Sequence, residues 1–556
     1  YAGRSSRPGR RMIRDLSESC PAALPGYDVC IVGSGPAGGT VARELSESGL
    51  SVCVLESGRR SVDRHGDALR EVEWEGLRIK EYSRERVLGG ASTTWAGLSS
   101  PLDPIDLADR PWLRRSGWPI PQDALEPYWA AACERYGFAP LPMFAPGGFD
   151  ALREKGDLRP GFETLEEKVF LANAAPQDFG RRVVPTYESA AVDLYLDATV
   201  TALERDPGGG RVRAAAIRTR RGDERRIEAG RFVVATGGIE NARLLLASGL
   251  GNERDQVGRC FMNHPKNFFG RLRLERPSRR APYWFGCLNG GFAGYAGLRL
   301  TEERQAALGV LNSYVRLEPL FPWSDNVGVE AAVLLAKRSG AMLRGWKARR
   351  AGDVVELRDY AETGDDSDLQ NARKGVREWA GLVGSIVANA VPVARYARAR
   401  LFDRRGTPVT TVRLRNFMEM EPEPENRVVL GGGRDVYGQP RARVVHRPTA
   451  LDRRSMVELH AAFRRECEEN GLGRFEGDLA RAEPWPIDED ASHHLGTTRM
   501  GEDPATSVVD PDLRVHELDN LFVSGGSVFP TSGCANPTFT IVALAIRLAE
   551  HLRGTG

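Results

Sequence analysis

The sequence predicts an α/β protein with a Rossmann-like nucleotide-binding domain, split along the chain, and a second α+β domain with a largely antiparallel sheet. A strand, a glycine-rich turn, a helix and a second strand follow one another from residue 28 to residue 58. Short apolar strands of the same kind return near residues 231 and 521. Residues 264–480 instead contain several extended runs between helical segments, which is typical of antiparallel strands.

The length of the chain indicates more than one domain, because 556 residues exceed what a single hydrophobic core usually organises. The nucleotide-binding domain is assigned to residues 27–105, 190–265 and 481–556. The second domain, with its helical insertions, is assigned to residues 106–189 and 266–480. Residues 1–26 are basic and rich in Gly, Pro and Ser, so we expect a flexible N-terminal extension, with Met12 as a candidate natural start.

Composition excludes several classes of protein. The 77 basic and 75 acidic residues leave a formal charge of +2, which argues against nucleic acid as the main partner. Eight scattered cysteines form no CxxC pair and no His/Cys ligand spacing, so we expect reduced thiols, no metal site and a cytoplasmic protein. The absence of a signal-peptide core is consistent with that expectation.

No stretch reaches the roughly 20 apolar residues of a membrane helix. The best candidate, Leu382 to Val391, is short and is followed by Pro392. Around it, residues 335–405 read as helical and basic. A solvated helix face is the favoured interpretation, while docking on an anionic membrane, docking on a partner, or covering a pocket stay open.

The glycine-rich turn carries the nucleotide prediction. Gly33-x-Gly35-x-x-Gly38 follows the apolar strand and opens a helix, as the dinucleotide fingerprint requires. Gly33 permits the tight turn, Gly35 lets backbone amides approach a diphosphate, and Gly38 permits close packing of helix on strand. Glu56 ends the next strand, where a carboxylate can accept hydrogen bonds from ribose hydroxyls.

Four motifs together resemble the glucose–methanol–choline (GMC) oxidoreductase superfamily over nearly the whole chain. They are the first βαβ unit, Gly89-Gly-Ala-Ser-Thr-Thr-Trp95, the segment Val234 to Leu245, and the C-terminal pair Ser492-His-His-Leu-Gly-Thr-Thr-Arg-Met-Gly501 and Asn536-Pro-Thr538. The resemblance implies an FAD-dependent oxidoreductase acting on a CH–OH group. It is strongest with the pyranose-oxidising, sugar-oxidising branch.

The resemblance also implies catalytic roles. His493, three residues before Gly496-Thr497, matches the general base that takes the hydroxyl proton while hydride passes to flavin N5. Asn536 matches the second polar residue, which orients the alcohol, although turn chemistry before Pro537 is an alternative. His494 is expected to support the site rather than act as base, and His264 to have a structural hydrogen-bonding role.

The cofactor is expected to be noncovalent FAD. In relatives with covalent flavin a histidine stands where this chain has Thr94, which has no ring nitrogen to bond the flavin. The predicted FAD-binding residues are Gly33, Gly35, Pro36, Ala37, Gly38, Glu56, Ser57, Gly90, Ser92, Thr93, Val200, Thr236, Gly526, Ser527 and Thr538. Within this set, Ser92 and Thr93 are expected to donate hydrogen bonds to the cofactor.

The sequence says less about the substrate than about the cofactor. The motifs favour a sugar or sugar-like polyol. Asp488, Glu489 and Asp490 lie just before His493, and Glu419, Glu421, Glu423 and Glu425 crowd a second place. A carboxylate-lined mouth would attract a cationic aminosugar, but solvated loop charges are the favoured interpretation.

Two rival functions stay open. One is an FAD-bearing lyase of the same fold, which would not oxidise an alcohol. The other is a membrane-associated sugar dehydrogenase subunit, which would need partner chains. A nicotinamide-linked dehydrogenase fits less well, because nothing else suggests a second nucleotide. The sequence does not determine the electron acceptor (O2, a quinone or a protein), the attacked hydroxyl or the oligomeric state.

Overall fold

The structure is a computed structural model that describes most of the chain. The described residues are 13–80, 83–145, 158, 161–173, 176–188, 192–279, 281–284, 287–289, 291–338, 376–402, 407–488 and 492–554.

The described strands form three sheets. They are β1 (Ile13–Asp15), β2 (Tyr27–Val32), β3 (Val52–Leu55), β4 (Glu73–Gly76), β5 (Leu165–Asn173), β6 (Val192–Leu196), β7 (Thr199–Arg205), β8 (Val212–Arg218), β9 (Glu224–Val234), β10 (Lys266–Ser278), β11 (Cys287–Asn289), β12 (Phe292–Leu300), β13 (Tyr314–Pro319), β14 (Val409–Phe417), β15 (Arg427–Arg434), β16 (Pro440–His446), β17 (Gly473–Glu476) and β18 (Leu521–Val523).

The described helices are α1 (Pro36–Leu45), α2 (Arg64–Leu69), α3 (Pro104–Leu107), α4 (Gln122–Tyr136), α5 (Phe179–Arg182), α6 (Val184–Glu188), α7 (Gly238–Ser248), α8 (Glu302–Leu308), α9 (Val327–Arg338), α10 (Val376–Ala388), α11 (Ala390–Phe402), α12 (Ala450–Glu469) and α13 (Thr538–Gly554).

The first sheet is the nucleotide-binding sheet and has the order β1-β6-β3-β2-β9-β8-β7, with β18 also paired to β9. Strands β1, β6, β3, β2, β9 and β18 run parallel, whereas β7, β8 and the first half of β9 form an antiparallel meander. The apolar runs of β2 and β3 are buried on both faces because helices cover a parallel sheet on both sides. Their carboxyl ends meet at one edge, where the candidate site lies.

The second sheet is antiparallel and has the order β11-β12-β13-β14-β10-β17, with β5 on the other edge of β12. One face carries apolar side chains such as Leu298, Val315 and Leu414, which form a core with Phe463 of α12. The opposite face carries stacked aromatic rings. They pack against Cys534 of the first domain, so this face is directed at the nucleotide-binding domain.

The α/β fold class is confirmed, while contacts in the structure differ from the predicted domain boundaries in three places. Residues 13–15 form β1, an edge strand of the first sheet, so residues 13–26 are not a flexible extension. The stretch 106–189 belongs mainly to the first core rather than to the second domain: Trp129 of α4 donates a hydrogen bond to Thr540 of α13 (3.2 Å).

A small third sheet also differs from the predicted assignment of residues 266–480. It has the order β15-β16-β4 and lies against α7. Val428, Ala442 and Val444 pack in the first core, although the sequence assigned residues 266–480 to the other domain. Short apolar segments can pack on either core, and only tertiary contacts decide between them.

The predicted basic helical stretch is only partly described. It contains the end of α9, then α10 and α11, while residues 339–375 and 403–405 lie outside the described residues. None of the described helices is long and apolar enough to cross a membrane alone. Residues 379–388 and 390–402 form one pair, bent by 89°, that reaches the required length and composition together.

Candidate active site

The glycine turn after β2 is set by backbone packing. Gly33 has a φ of +102°, and a Cβ there would lie 2.5 Å from the Ala235 carbonyl oxygen. A Cβ on Gly38 would lie 2.0 Å from the Gly33 carbonyl oxygen. A Cβ on Gly35 would meet no protein atom closer than 4.0 Å. Gly33 and Gly38 are therefore required by the fold, whereas Gly35 borders open space.

That open space is a cleft at the carboxyl edge of the first sheet. It encloses about 1300 Å³ of empty space, open solvent included. The first amides of α1 face it, since Gly35 precedes the helix and provides no side-chain cap. Such a helix terminus favours a diphosphate. The cleft thus has the size and the anion-binding end that a dinucleotide requires.

Glu56 stands at the end of β3, beside the turn. Its carboxylate accepts hydrogen bonds from the Ser34 amide (3.1 Å), the Ser34 hydroxyl (2.6 Å) and the Gly58 amide (2.8 Å). These bonds hold the carboxylate in place while the side chain still borders the cleft. Its contact with a ribose stays a prediction.

Most of the predicted FAD-binding residues come together at the cleft. Those that line it are Gly33, Gly35, Pro36, Ala37, Glu56, Ser57, Gly90, Val200, Thr236, Gly526 and Thr538. Gly38 lies behind the turn and acts through packing.

Three of the predicted FAD-binding residues have hydroxyls engaged within the protein, so their contact with FAD stays a prediction. Ser92 donates to the Gly89 carbonyl (2.6 Å) and accepts from the Phe179 amide (3.0 Å), so its hydroxyl holds the turn together. Thr93 donates to the Gly90 carbonyl (2.9 Å). Ser527 accepts hydrogen bonds from the side chains of Asn241 (2.8 Å) and Thr498 (2.7 Å). None of the three lines the cleft as the structure describes it.

A buried charge cluster forms another wall, and sequence reasoning missed it. Glu240, in the first turn of α7, forms ion pairs with Arg84 (2.9 Å), Arg86 (2.9 Å) and Arg243. Burial favours the neutral acid, but the guanidinium groups of Arg243, Arg86 and Arg84 outweigh it and hold the pKa of Glu240 well below its usual range. Burial lowers the pKa of Arg84 to about 10. Three cations around one carboxylate make this wall electropositive, which suits a diphosphate.

His493 is another residue that lines the cleft. Its backbone amide donates to the Asn263 side-chain oxygen (2.8 Å), and the amide of His264 donates to the same oxygen (2.9 Å). The rings of His264 and His493 meet edge to face, with 2.8 Å between the two Nδ1 atoms. Nδ1 of His493 is therefore engaged by the ring of His264.

His494 also lines the cleft but has a different environment. It stacks on Phe261 with 5.9 Å between ring centroids. Burial lowers the pKa of His494 to about 3, and Arg84 and His446 act in the same direction. This ring is neutral at ordinary pH and binds a proton poorly, so it is the weaker candidate for a base.

Asn536 lies in a loop that is otherwise buried. Its side chain is partly exposed and makes no hydrogen bond to another described residue, and the next two residues line the cleft. Buried polar contacts anchor the loop: Thr531 donates to the Asp106 carbonyl (2.7 Å), and the Gly533 amide donates to Glu419 (3.2 Å). Asn536 itself is not among the lining residues of the cleft, but it lies directly before two of them on an anchored loop.

The predicted acidic mouth is corrected in part. Glu419 is fully buried and forms a two-pronged ion pair with Arg110 (2.6 and 2.8 Å). Glu423 pairs with Arg114 and Glu425 with Arg259. Glu419 therefore belongs neither to a solvated loop nor to the mouth of the cleft. Asp488 is described, whereas Glu489 and Asp490 lie outside the described residues.

A second feature that the sequence reasoning missed is the aromatic face of the second sheet. Tyr314 stacks on Phe417 with 4.6 Å between centroids, and Phe170 stacks on Tyr295 and Tyr314. Arg316 lies over Tyr295. Polar and aromatic residues alternate with aliphatic ones in β13 and β14, and that alternation was the available signal. Among the described residues no group of His, Cys, Asp and Glu could hold a metal ion.

Comparisons with known families agree with this geometry. A family profile described as FAD dependent oxidoreductase matches residues 28–259, and one described as GMC oxidoreductase matches residues 422–545. The first contains the glycine turn and the second contains His493 and Asn536.

Among characterised proteins, the chain is 26% identical to the fructose dehydrogenase large subunit of Gluconobacter japonicus over 66% of this chain and 54% of that protein. It is 36% identical to the C-glycoside 3-oxidase of Arthrobacter globiformis over 31% of each chain. It is 24% identical to the paromamine 6'-oxidase of Streptomyces fradiae over 95% of this chain and 91% of that protein. The first two matches span about half and about a third of those relatives.

Solved structures agree on the fold. Pyridoxine 4-oxidase from Mesorbium loti superimposes with a TM-score of 0.53 at 17% identity, covering 94% of this chain and 98% of that chain. A formate oxidase from Aspergillus oryzae RIB40 gives 0.56 at 16% identity, covering 96% and 99%. At these identities the likeness concerns the fold alone.

Proposed function

The chain belongs to the GMC oxidoreductase family and is an FAD-dependent oxidoreductase, and on this premise we propose that it oxidises a CH–OH group of a sugar or sugar-like alcohol to the carbonyl. One observation carries the proposal. The cleft is lined by a histidine whose Nδ1 contacts the ring of His264, and a loop beside the cleft carries an amide that makes no hydrogen bond to a described residue. A base and a hydrogen-bond donor are the two groups that oxidation of an alcohol needs.

The residues of the FAD site fit that group. Gly33, Gly35 and the start of α1 would hold the diphosphate, with the cluster around Glu240 supplying positive charge. Glu56 and Ser57 would face the adenosine end, and Thr94 offers no nitrogen for a covalent bond. When bound, FAD supplies the two-electron acceptor for the hydride of the alcohol carbon.

The chain's own residues control the proton. His493 takes the hydroxyl proton, which raises electron density on the carbinol carbon. Asn536 donates a hydrogen bond to the same oxygen and holds the carbon in line. The buried loop that carries Asn536 and the Asn263 amide oxygen that fixes the His493 backbone keep these two groups in place.

Support for a sugar comes from the relatives, whose names are those of sugar and aminosugar oxidases or dehydrogenases. Paromamine 6'-oxidase and 6'''-hydroxyparomomycin C oxidase align over 95% of this chain, which keeps aminosugars among the proposed substrates. The acidic residues at 419–425 no longer support a cationic ligand, because three of the four are ion-paired.

The test is an anaerobic titration. The purified protein is loaded with FAD, its visible spectrum is recorded, and neutral pyranoses, C-linked glycosides and aminosugars are added one class at a time. Bleaching of the flavin bands by one class supports the proposal and names the substrate class. Released flavin after acid precipitation supports noncovalent binding. Bound flavin that no alcohol bleaches contradicts the proposal and favours the lyase.

Reoxidation is measured in the same samples. Oxygen, a quinone and a dye are added separately to the bleached enzyme, and the rate at which colour returns identifies the acceptor.

A further inference from the structure

The helices α10 and α11 carry most of the exposed apolar surface of the described residues. Of the eleven large apolar side chains that are exposed there, six lie in this pair of helices: Trp379, Val383, Val387, Val391, Leu401 and Phe402. Val387 is 69% exposed and Phe402 is 76% exposed. Exposed apolar residues scattered singly need no explanation, but their concentration in one short segment marks an interaction surface.

The side chains of α10 are distributed in the opposite way to those of an ordinary surface helix. On the side that faces α9, Asn389 at the end of the helix accepts a hydrogen bond from Asn326 (3.1 Å). Ser385 lies one turn earlier on the same side, and its backbone closely approaches α9. Val383 and Val387 lie on the opposite side, since each residue turns the helix by about 100°. An amphipathic surface helix normally directs its polar face outward, whereas α10 directs its valines outward.

Packing of α11 fixes this orientation. Its residues Val393, Tyr396 and Ala399 recur at every third position and pack on a small core to which α9 contributes. The ring of Tyr396 meets that of Trp323 edge to face, with 6.1 Å between the centroids. The outward position of the exposed apolar residues therefore results from tertiary packing on the other side of the pair.

The charges of the segment suit an anionic surface. Residues 379–394 contain no charged residue, and no Asp or Glu occurs anywhere in residues 379–402. Arg395, Arg398 and Arg400 are exposed on α11, next to Leu401 and Phe402. Helices that combine an apolar outer face with Trp and Arg lie at the boundary between lipid headgroups and acyl chains. Anionic headgroups attract arginines at such a surface.

The length of the two helices favours a position along a membrane surface over one across it. Each has 13 residues, which corresponds to about 20 Å against the roughly 30 Å of a hydrocarbon core. The pair is bent by 89° at its junction. Two axes that meet at a junction define one plane, so both helices can rest on the same flat surface.

We propose that the outer face of α10 and α11 docks the protein on an anionic lipid surface. The apolar residues from Trp379 to Val391 insert at the level of the upper acyl chains, and the arginines of α11 contact the headgroup phosphates. The proposal is independent of the proposed oxidation of an alcohol, because none of these residues lines the cleft.

The docking surface and the catalytic residues lie at different ends of the second sheet. β14 follows α11 along the chain and ends at Phe417, and the next amide, that of Met418, donates to the carbonyl of Pro265, beside His264. β14 has nine residues, which corresponds to about 30 Å. Substitutions on the outer face of α10 should therefore leave the cleft unchanged.

The test is flotation of the FAD-loaded protein with vesicles of phosphatidylcholine, with and without phosphatidylglycerol. The protein should float with the anionic vesicles, bind neutral vesicles more weakly, and keep part of its binding in concentrated salt. Salt screens the arginines but not the apolar contact. Arg395→Gln combined with Arg398→Gln should lower binding to anionic vesicles roughly tenfold or more and leave binding to neutral vesicles unchanged.

A matched pair of variants tests the apolar face. Val387→Glu places a charge on that face and should lower binding to both kinds of vesicle about tenfold or more. Val436→Glu is the control, because Val436 is 54% exposed at another surface and should leave binding unchanged. FAD content and thermal unfolding of both variants should match the wild type. No flotation of the wild type with anionic vesicles, or equal binding by Val387→Glu and wild type, overturns the proposal.

Two further measurements identify the contact. Bromine-labelled lipids should quench more fluorescence in the wild type than in Trp379→Phe, and equal quenching overturns insertion at this face. Sedimentation equilibrium without lipid measures self-association. A dimer that Val387→Glu dissociates, together with no flotation, overturns docking on lipid and assigns the face to a second copy of the chain.

Discussion

The two ends of the cleft are held by different kinds of contact. At the nucleotide end, Gly33 and Gly38 meet backbone carbonyls so closely that no side chain fits. At the catalytic end, side-chain hydrogen bonds join the segments of His264 and His493, and Glu419 holds the loop before Asn536. Substitutions at the first end should therefore break cofactor binding or the fold, whereas substitutions at the second should change rates in a folded protein.

The largest effect is expected from Gly38→Ala. Its Cβ would lie 2.0 Å from a backbone oxygen that cannot move away, so the turn must open and the protein should lose FAD and fold poorly. Gly35→Ala meets only open space in the protein, so it should keep the stability of the FAD-free protein and lose affinity for FAD. FAD titration and thermal unfolding of both variants measure this. Equal stability of the two FAD-free variants would contradict the distinction.

The second effect concerns the charge cluster. Glu240→Ala leaves three buried or partly buried guanidinium groups without their carboxylate, and should cost roughly 3–5 kcal/mol of unfolding free energy. Glu253→Ala is the matched control, because Glu253 pairs with Arg205 at the surface and should cost less than about 1 kcal/mol. Urea denaturation measures both. Similar values for the two variants would show that the cluster does not support the cleft.

The third effect tests the amide at the catalytic end. Asn536→Ala should slow flavin reduction by roughly 10- to 100-fold while FAD binding and stability stay near wild type. Asn536→Asp has the same shape but places a negative charge beside the developing alkoxide, and should be slower still. Stopped-flow reduction under anaerobic conditions measures this. An unchanged rate of flavin reduction in Asn536→Ala would contradict a catalytic role and leave Asn536 as a turn residue before Pro537.

The smallest effect is one of pH on stability. Burial raises the pKa of Asp452 to about 7, although the amides of Glu421 and Thr449 act in the opposite direction. The folded protein holds this proton more tightly than the unfolded chain, so stability is lost as pH rises from about 4 to about 7. Asp452→Asn should remove this decline, because an amide does not titrate over that window.

Asp123→Asn, at an exposed position of α4, is the control and should leave the curve unchanged. Unfolding at several pH values gives the difference from wild type. If the unfolding free energy of Asp452→Asn changed with pH in parallel with the wild type, the raised pKa of Asp452 would be contradicted.

The comparison also explains what the sequence could predict. Gly33, Gly38 and Glu56 were found because their contacts lie mostly within one βαβ unit. The ion pairs of Glu240 with Arg84 and the bond of Ser92 to Phe179 join positions 156 and 87 residues apart, which no local pattern reveals.

At the catalytic end, contacts between residues distant in the sequence were also not predicted. His493 was indicated by its spacing from Gly496-Thr497 through the family resemblance, and the structure places it at the cleft. The sequence reasoning gave His264 a structural role, because its contact with His493 spans 229 residues. The segment Asn263-His-Pro-Lys266 was the available signal, but only the fold shows which ring nitrogen it engages.

The most direct test of the account is the rate of flavin reduction in His493→Gln, measured in a single anaerobic turnover at saturating substrate, with His494→Gln in parallel. His493→Gln should bind FAD normally and support flavin reduction roughly 100-fold or more slowly than the wild type, whereas His494→Gln should lose less of the rate. Near-normal reduction in His493→Gln, with a large loss in His494→Gln, would contradict the account and move the base to His494.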